Sequence, residues 1–126
     1  MAGKKAWKKS KWVKVITENC KSVGTYRDSF APVIDTLAGI LENRDKAIVE
    51  FENSGGEIIV WHTNKAGEPY REQNPTLRLI NDLNRDALAY WRDLGLTPSG
   101  LKKINESALK PQKRNALTEA LKDLGG

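Results

Sequence analysis

The 126-residue chain has one cysteine, Cys20, one histidine, His62, and no long apolar run. A single cysteine excludes an internal disulfide and a cysteine-based zinc site, and it suits a reducing cytoplasm. A single histidine leaves a Ser-His-Asp triad with one candidate base. His62 stands in an apolar, strand-like stretch, where an ordinary hydrogen bond is the simpler role. No stretch approaches the ~20 apolar residues that a membrane span needs. The start, Met1-Ala2-Gly3-Lys4-Lys5, is basic with no apolar core after it, so it does not read as a signal peptide. Gly55-Gly56 belongs to no G-x-x-x-x-G-K-S/T phosphate loop. Glu42, Asp45 and Glu52 are interleaved with bases and read as a solvated helix face rather than as metal ligands. There is no internal repeat and no long low-complexity run. The chain therefore reads as non-enzymatic, with no cofactor, no metal and no basis for ATP hydrolysis or nuclease chemistry.

What is present is charge, unevenly spread. Apolar residues make up 39% and charged residues 29%, the balance of a soluble, folded domain rather than a disordered one. The net charge is +5, but residues 1–27 carry eight bases against the lone acid Glu18, a local +7. Residues 28–101 carry seven bases and twelve acids, and residues 102–126 six bases and three acids. A basic head and a mildly basic tail on an acidic body suggest a polyanion engaged by the ends. The candidate phosphate contacts are Lys4, Lys5, Lys8, Lys9, Lys11, Lys14, Lys21 and Arg27, with Lys102 and Lys103 from the tail. The competing reading is a run of lysines that only solubilises. Trp7 and Trp12 could stack on bases, although Trp12 fits a core stripe better.

The periodicity is mostly helical. A first helix is expected from about Trp7 to Val23, with Trp12, Val15, Ile16, Asn19, Cys20 and Val23 on one face and Gly24 as its stop. A second, about Ser29 to Asn53, carries the stripe Phe30, Val33, Ile34, Leu37, Leu41, Ile48 and Phe51, interrupted by Arg44. At ~1.5 Å per residue this rod is nearly 40 Å long. After Ser54-Gly55-Gly56 the pattern changes. Residues 57–63 are rich in β-branched and aromatic side chains, Asn64-Lys65-Ala66-Gly67 is turn chemistry, and residues 68–73 supply a return strand. Ile58, Ile59, Val60 and Trp61 hold more apolar surface than one two-stranded ribbon hides. One face is expected on the chain's own long helices and the other on a neighbouring subunit. Asn74-Pro75 opens a third helix with the stripe Leu77, Ile80, Leu83, Ala87, Leu88, Trp91 and Leu94. Thr97-Pro98 opens a shorter one to about Leu109, and Leu117, Ala120, Leu121 and Leu124 suggest a last amphipathic segment.

The helix opened by Asn74-Pro75 runs into Gly95-Leu96-Thr97-Pro98-Ser99. A long helix, a Gly-Gly break and a hairpin precede it. Over roughly residues 25–105 this arrangement resembles the small subunit of tailed-phage terminase. Where the family motif commonly continues with Ser and Arg, this chain has Gly100, Leu101, Lys102 and Lys103, which keeps the positive charge. The resemblance implies a ring-forming homo-oligomer that binds double-stranded viral DNA at the packaging initiation site. It implies a large terminase subunit as partner, holding the ATPase and nuclease. The setting would be the cytoplasm of the infected bacterial host, with no membrane involved. The expected fold is mainly α: two long antiparallel helices with a small β-hairpin between them, a basic N-terminal helix and short C-terminal helices. In domain terms, residues 1–24 are a DNA-binding helix or arm, residues 25–110 a helical oligomerisation core, and residues 111–126 a C-terminal segment. The alternatives are a small DNA-binding transcriptional regulator and a non-catalytic phage assembly protein. A repressor would need a compact helix-turn-helix, and the second helix is long for one.

Overall fold

A computed structural model of the chain describes residues 6–107. Helix α1 spans Lys9–Val23, a 3-10 turn covers Asp28–Phe30, and α2 spans Ala31–Asn53. Strands β1 (Ile59–Thr63) and β2 (Pro69–Gln73) form an antiparallel hairpin, and α3 spans Pro75–Asp93. Residues 98–107, up to the limit of the description, are helical and are termed α4. The fold is thus mainly helical with a hairpin between α2 and α3, as the periodicity and the resemblance implied. Lys4, Lys5 and the expected segment around Leu117–Leu124 lie outside the described residues.

The helix ends follow from local chemistry. Gly24 adopts φ 79°, a conformation costly for other residues, and Thr25 N–H then reaches back to the Cys20 carbonyl at 2.9 Å. Phe30 N–H closes the 3-10 turn onto the Arg27 carbonyl, and Pro32 follows in the first turn of α2, where its missing N–H costs nothing. Asn74 caps α3 by accepting from Thr76 N–H at 3.0 Å. The same side chain donates to the Glu57 carbonyl at 2.9 Å, and the Asn74 amide donates to the Ile58 carbonyl at 2.8 Å. Asn74 therefore ties the base of the hairpin to the start of α3.

Helices α2 and α3 run antiparallel: Glu57 meets Asn74 at one end, and Arg44 meets Asn84 further along. Helix α1 lies against the first half of α2. The shared core holds Ile16 and Cys20 from α1, Ile34, Leu37, Ala38 and Leu41 from α2, Ala87 from α3, and Leu94 just after it. Beyond residue 45 of α2, α1 no longer covers the pair. There, α2 and α3 form a two-helix arm whose buried apolar residues are Ala47 and Ile80, with the hairpin at its end.

Three expectations change. The inward stripe of α1 is Trp12, Val13, Ile16 and Cys20, whereas Asn19 is exposed and Val23 mostly so. A helix packed on one side only buries a narrow stripe. The seam here follows the Ile16–Cys20 row, which turns Asn19 outward. Leu88 is 47% exposed for the same reason on α3. The third change concerns the hairpin, which does not seat one face on the chain's own helices. Only Val60, Glu72 and Gln73 are half-buried, while Ile58, Ile59, Trp61 and Tyr70 stay exposed. Its attachments are the polar bonds at its base, because α2 and α3 spend their facing sides on each other.

Candidate nucleic-acid interface

At 100° per residue, burial of Ile16 and Cys20 turns Lys8, Lys11, Lys14 and Lys21 to the solvent side of α1. All four are exposed, and none has a carboxylate within ion-pair distance among the described residues. Lys9 differs. Its side chain pairs with Asp35 at 2.8 Å and its amide donates to Glu42 at 2.7 Å, so it fastens α1 to α2. Arg27 is exposed beyond the helix, and its guanidinium donates to the Tyr26 carbonyl.

Two of the free lysines are held by aromatic rings. Lys11 Nζ sits 4.2 Å from the Trp7 ring centroid and Lys21 Nζ 5.0 Å from that of Tyr26. A ring positions an ammonium group without cancelling its charge, unlike the carboxylate on Lys9. The Tyr26 hydroxyl stays protonated. Desolvation, then the charge and hydrogen bond of Asp28, hold its pKa above the usual phenol value. Trp7 and Trp12 lie with centroids 4.8 Å apart, and the Trp12 indole donates to Asp45 at 2.8 Å. Lys11 lies against the Trp7 ring as well, while Trp7 itself stays exposed.

Arg44, the interruption in the α2 stripe, now has a physical account. It packs on the Trp12 ring at 5.5 Å, donates to Asp45 Oδ1 through Nε and Nη2 at 3.2 and 2.9 Å, and reaches Asn84 through Nη1. One half-buried guanidinium thus joins all three long helices. Nothing in the linear pattern marked Asp45 as its partner. A groove of about 510 Å3 opens beside it, floored by Trp12, Ile48 and Val49.

The Gly95–Ser99 run shapes the junction of α3 and α4. Gly95 adopts φ 74°, and a Cβ there would lie 2.8 Å from both Thr25 Cγ2 and Ile104 Cδ1. Thr97 Oγ accepts from Gly100 N–H at 3.0 Å, which caps α4, and Pro98 follows as its first residue. Leu96 packs against the core and Ser99 is exposed. Position 100 has room only for glycine in this arrangement, because a Cβ there would fall on the Arg92 carbonyl oxygen. The start of α4 also shares a groove with the end of α1, lined by Asn19 and Ser22 on one side and Pro98 and Leu101 on the other. Lys102 and Lys103 are exposed on α4 one and two residues beyond that groove. Of the α1 lysines only Lys21 lies at the helix end that meets α4; the start of the helix, with Lys8 and Lys11, lies back along α2 near Glu42 and Asp45.

The remaining polar candidates lead elsewhere. His62 pairs with Glu72 across the hairpin at 2.8 Å, with Tyr70 alongside. Cys20 is fully buried, and burial raises its thiol pKa despite a bond with Thr25. Among the described residues no group of three or more His, Cys, Asp or Glu side chains could hold a metal ion. No helix among them is long and apolar enough to cross a membrane.

Comparison with known families agrees with the layout. The family model described as phage terminase, small subunit, matches residues 4–121. No curated protein and no solved structure matches the chain.

Proposed function

Because the chain belongs to the phage terminase small-subunit family and so to phage DNA packaging, we propose that it is the DNA-recognition component of the packaging motor. In this reading it binds double-stranded viral DNA at the packaging initiation site. It then recruits and regulates the large subunit, which supplies the ATPase and nuclease, in the cytoplasm of the infected bacterium. The chain itself performs no catalysis.

The observation that carries this is the solvent face of α1. Lys8, Lys11, Lys14 and Lys21 are exposed there with no ion-pair partner among the described residues, and exposed Lys102 and Lys103 follow the start of α4, which meets the C-terminal end of α1. Such cations displace the counterions condensed on a duplex, so binding should fall steeply with salt. Lys4 and Lys5, outside the described residues, would supply further phosphate contacts. Residues 25–110 serve as the oligomerisation core. Its exposed hairpin residues Ile58, Ile59 and Trp61, with half-buried Val60, offer an apolar surface that an adjacent ring subunit would cover.

The test is duplex binding across a salt series by the wild type and by a variant with Lys8, Lys11, Lys14 and Lys21 all changed to Gln. If each contacts a phosphate, the log–log slope falls by roughly 3–4 units, at about 0.9 per contact. An unchanged slope moves the DNA surface off α1.

A further inference from the structure

We propose that the outer face of α1 is a major-groove reading surface, in which lysines hold the phosphates and Glu18, Asn19 and Ser22 meet base edges. This rests on the DNA-binding role proposed above and adds a division of labour within it.

The starting observation is where the rings place the lysines. Lys11 is drawn back to Trp7, before the helix, and Lys21 forward to Tyr26, beyond it. At ~1.5 Å per residue the two Cα atoms are about 15 Å apart along the axis. Between them the face holds exposed Lys14, half-buried Val15 and exposed Glu18 and Asn19, and exposed Ser22 follows directly after Lys21. Residues 15, 18 and 22 follow the 3–4 spacing of one outward row, and Asn19 flanks it on the side of α4. Lys14 and Lys21 lie on the opposite flank. Lys11 opens the same row, so the cations rim its N-terminal end and the flank of Lys14 and Lys21, and the row beyond Lys11 is uncharged but for one carboxylate. Phosphate contacts from a rim fix register, and contacts from a centre read sequence.

The chemistry of that centre suits base edges. Glu18, Asn19 and Ser22 make no side-chain hydrogen bond or ion pair with another described residue, so their capacity is unspent. Glu18 is the single acid of residues 1–27. On a surface that met only phosphate, a central carboxylate would weaken binding by repulsion. In the major groove it can accept from the cytosine N4 amino group. Asn19 has the donor–acceptor pair that matches adenine N6 and N7, Ser22 can serve either sense, and the Val15 methyls suit a thymine methyl. The helix is 15 residues long and no other described element covers this side, and the major groove, ~12 Å wide, admits a helix. Asn19 and Ser22 also border the groove shared with Pro98 and Leu101, and exposed Lys102 is the next residue along α4.

The experiment uses the full chain and a pool of randomised duplexes. Bound duplexes are selected and sequenced. Affinity is then measured on a selected and an unrelated duplex over a salt series. Wild type, Glu18→Gln, Asn19→Ala, Ser22→Ala and the quadruple lysine variant are compared, with circular dichroism as the folding control. The expected result is that Glu18→Gln and Asn19→Ala each change the enriched sequence, with a roughly five- to hundred-fold loss of preference at one base pair. Their salt slopes and their affinity for unrelated duplex should hold. The lysine variant should weaken both duplexes alike. A wild type that binds without enriching any sequence overturns the inference and leaves the DNA-binding role standing. So does an enriched sequence that none of the three central substitutions alters. No duplex binding even at low salt would instead defeat the proposed function itself.

Discussion

Replacing Asn74 by Ala tests how the hairpin is held. Two side-chain bonds are lost: the cap to Thr76 N–H and the donation to the Glu57 carbonyl. An N-cap Asn is worth about 1 kcal/mol over Ala, and a neutral hydrogen bond contributes about 1 kcal/mol net. Glu57 is exposed, so water can take over its carbonyl and no large desolvation penalty is added. Asn74→Ala should therefore cost about 2 kcal/mol. In a domain of this size that is a fall of roughly 8 °C in melting temperature. Asn74→Ser keeps a capping oxygen but cannot reach Glu57, so it should cost about half as much. Asn74→Asp keeps the cap but turns an acceptor toward the Glu57 carbonyl and should also lose stability. Thermal melts of the three variants, with native mass in parallel, provide the assay. Because the hairpin has little other attachment, Asn74→Ala should also loosen assembly more than a core change that costs at least as much, such as Ile34→Ala. Equal losses for Ala and Ser would mean that the cap contributes nothing. A loss below about 0.5 kcal/mol for Ala would refute the whole account.

Four further outcomes follow from the packing. Arg44→Ala or Asp45→Ala leaves the other member of a half-buried pair without its partner, and each should cost about 1–3 kcal/mol in denaturant melts. Gly100→Ala forces a methyl onto the Arg92 carbonyl, so α4 must shift and the melting temperature should drop by several degrees, where Ser99→Ala has little effect. Cys20 is buried and its thiol pKa is raised, so at neutral pH it should react with a thiol reagent only on unfolding; rapid labelling of the folded protein would contradict the packing of α1 on α2. Trp61→Glu or Ile59→Glu should reduce the assembled mass seen by light scattering while leaving the helical dichroism, since both side chains project from the hairpin.

Much of the fold was legible because its signals are local. The Asn74-Pro75 and Thr97-Pro98 starts, the glycine stops at Gly24 and Gly95, and the change of period after Gly56 all depend on neighbours within four residues. Charge segregation is likewise a property of the linear chain, so the basic head could be read directly. What the chain could not declare is which side of each helix finds a partner. The α1 pattern put Asn19 and Val15 on the buried face, and only the Ile16–Cys20 seam against α2 brought Val13 to the core instead. That choice exposed Asn19 beside Glu18. The Arg44 knot needs Trp12, Asp45 and Asn84, which lie on three helices and share no spacing rule. Lys9 was indistinguishable from its neighbours until Asp35 came within 2.8 Å of it. Element identity followed from short-range backbone chemistry, which the sequence carries in order. The sorting of lysines into fasteners and free cations came from contacts dozens of residues apart, and only tertiary packing brings those together.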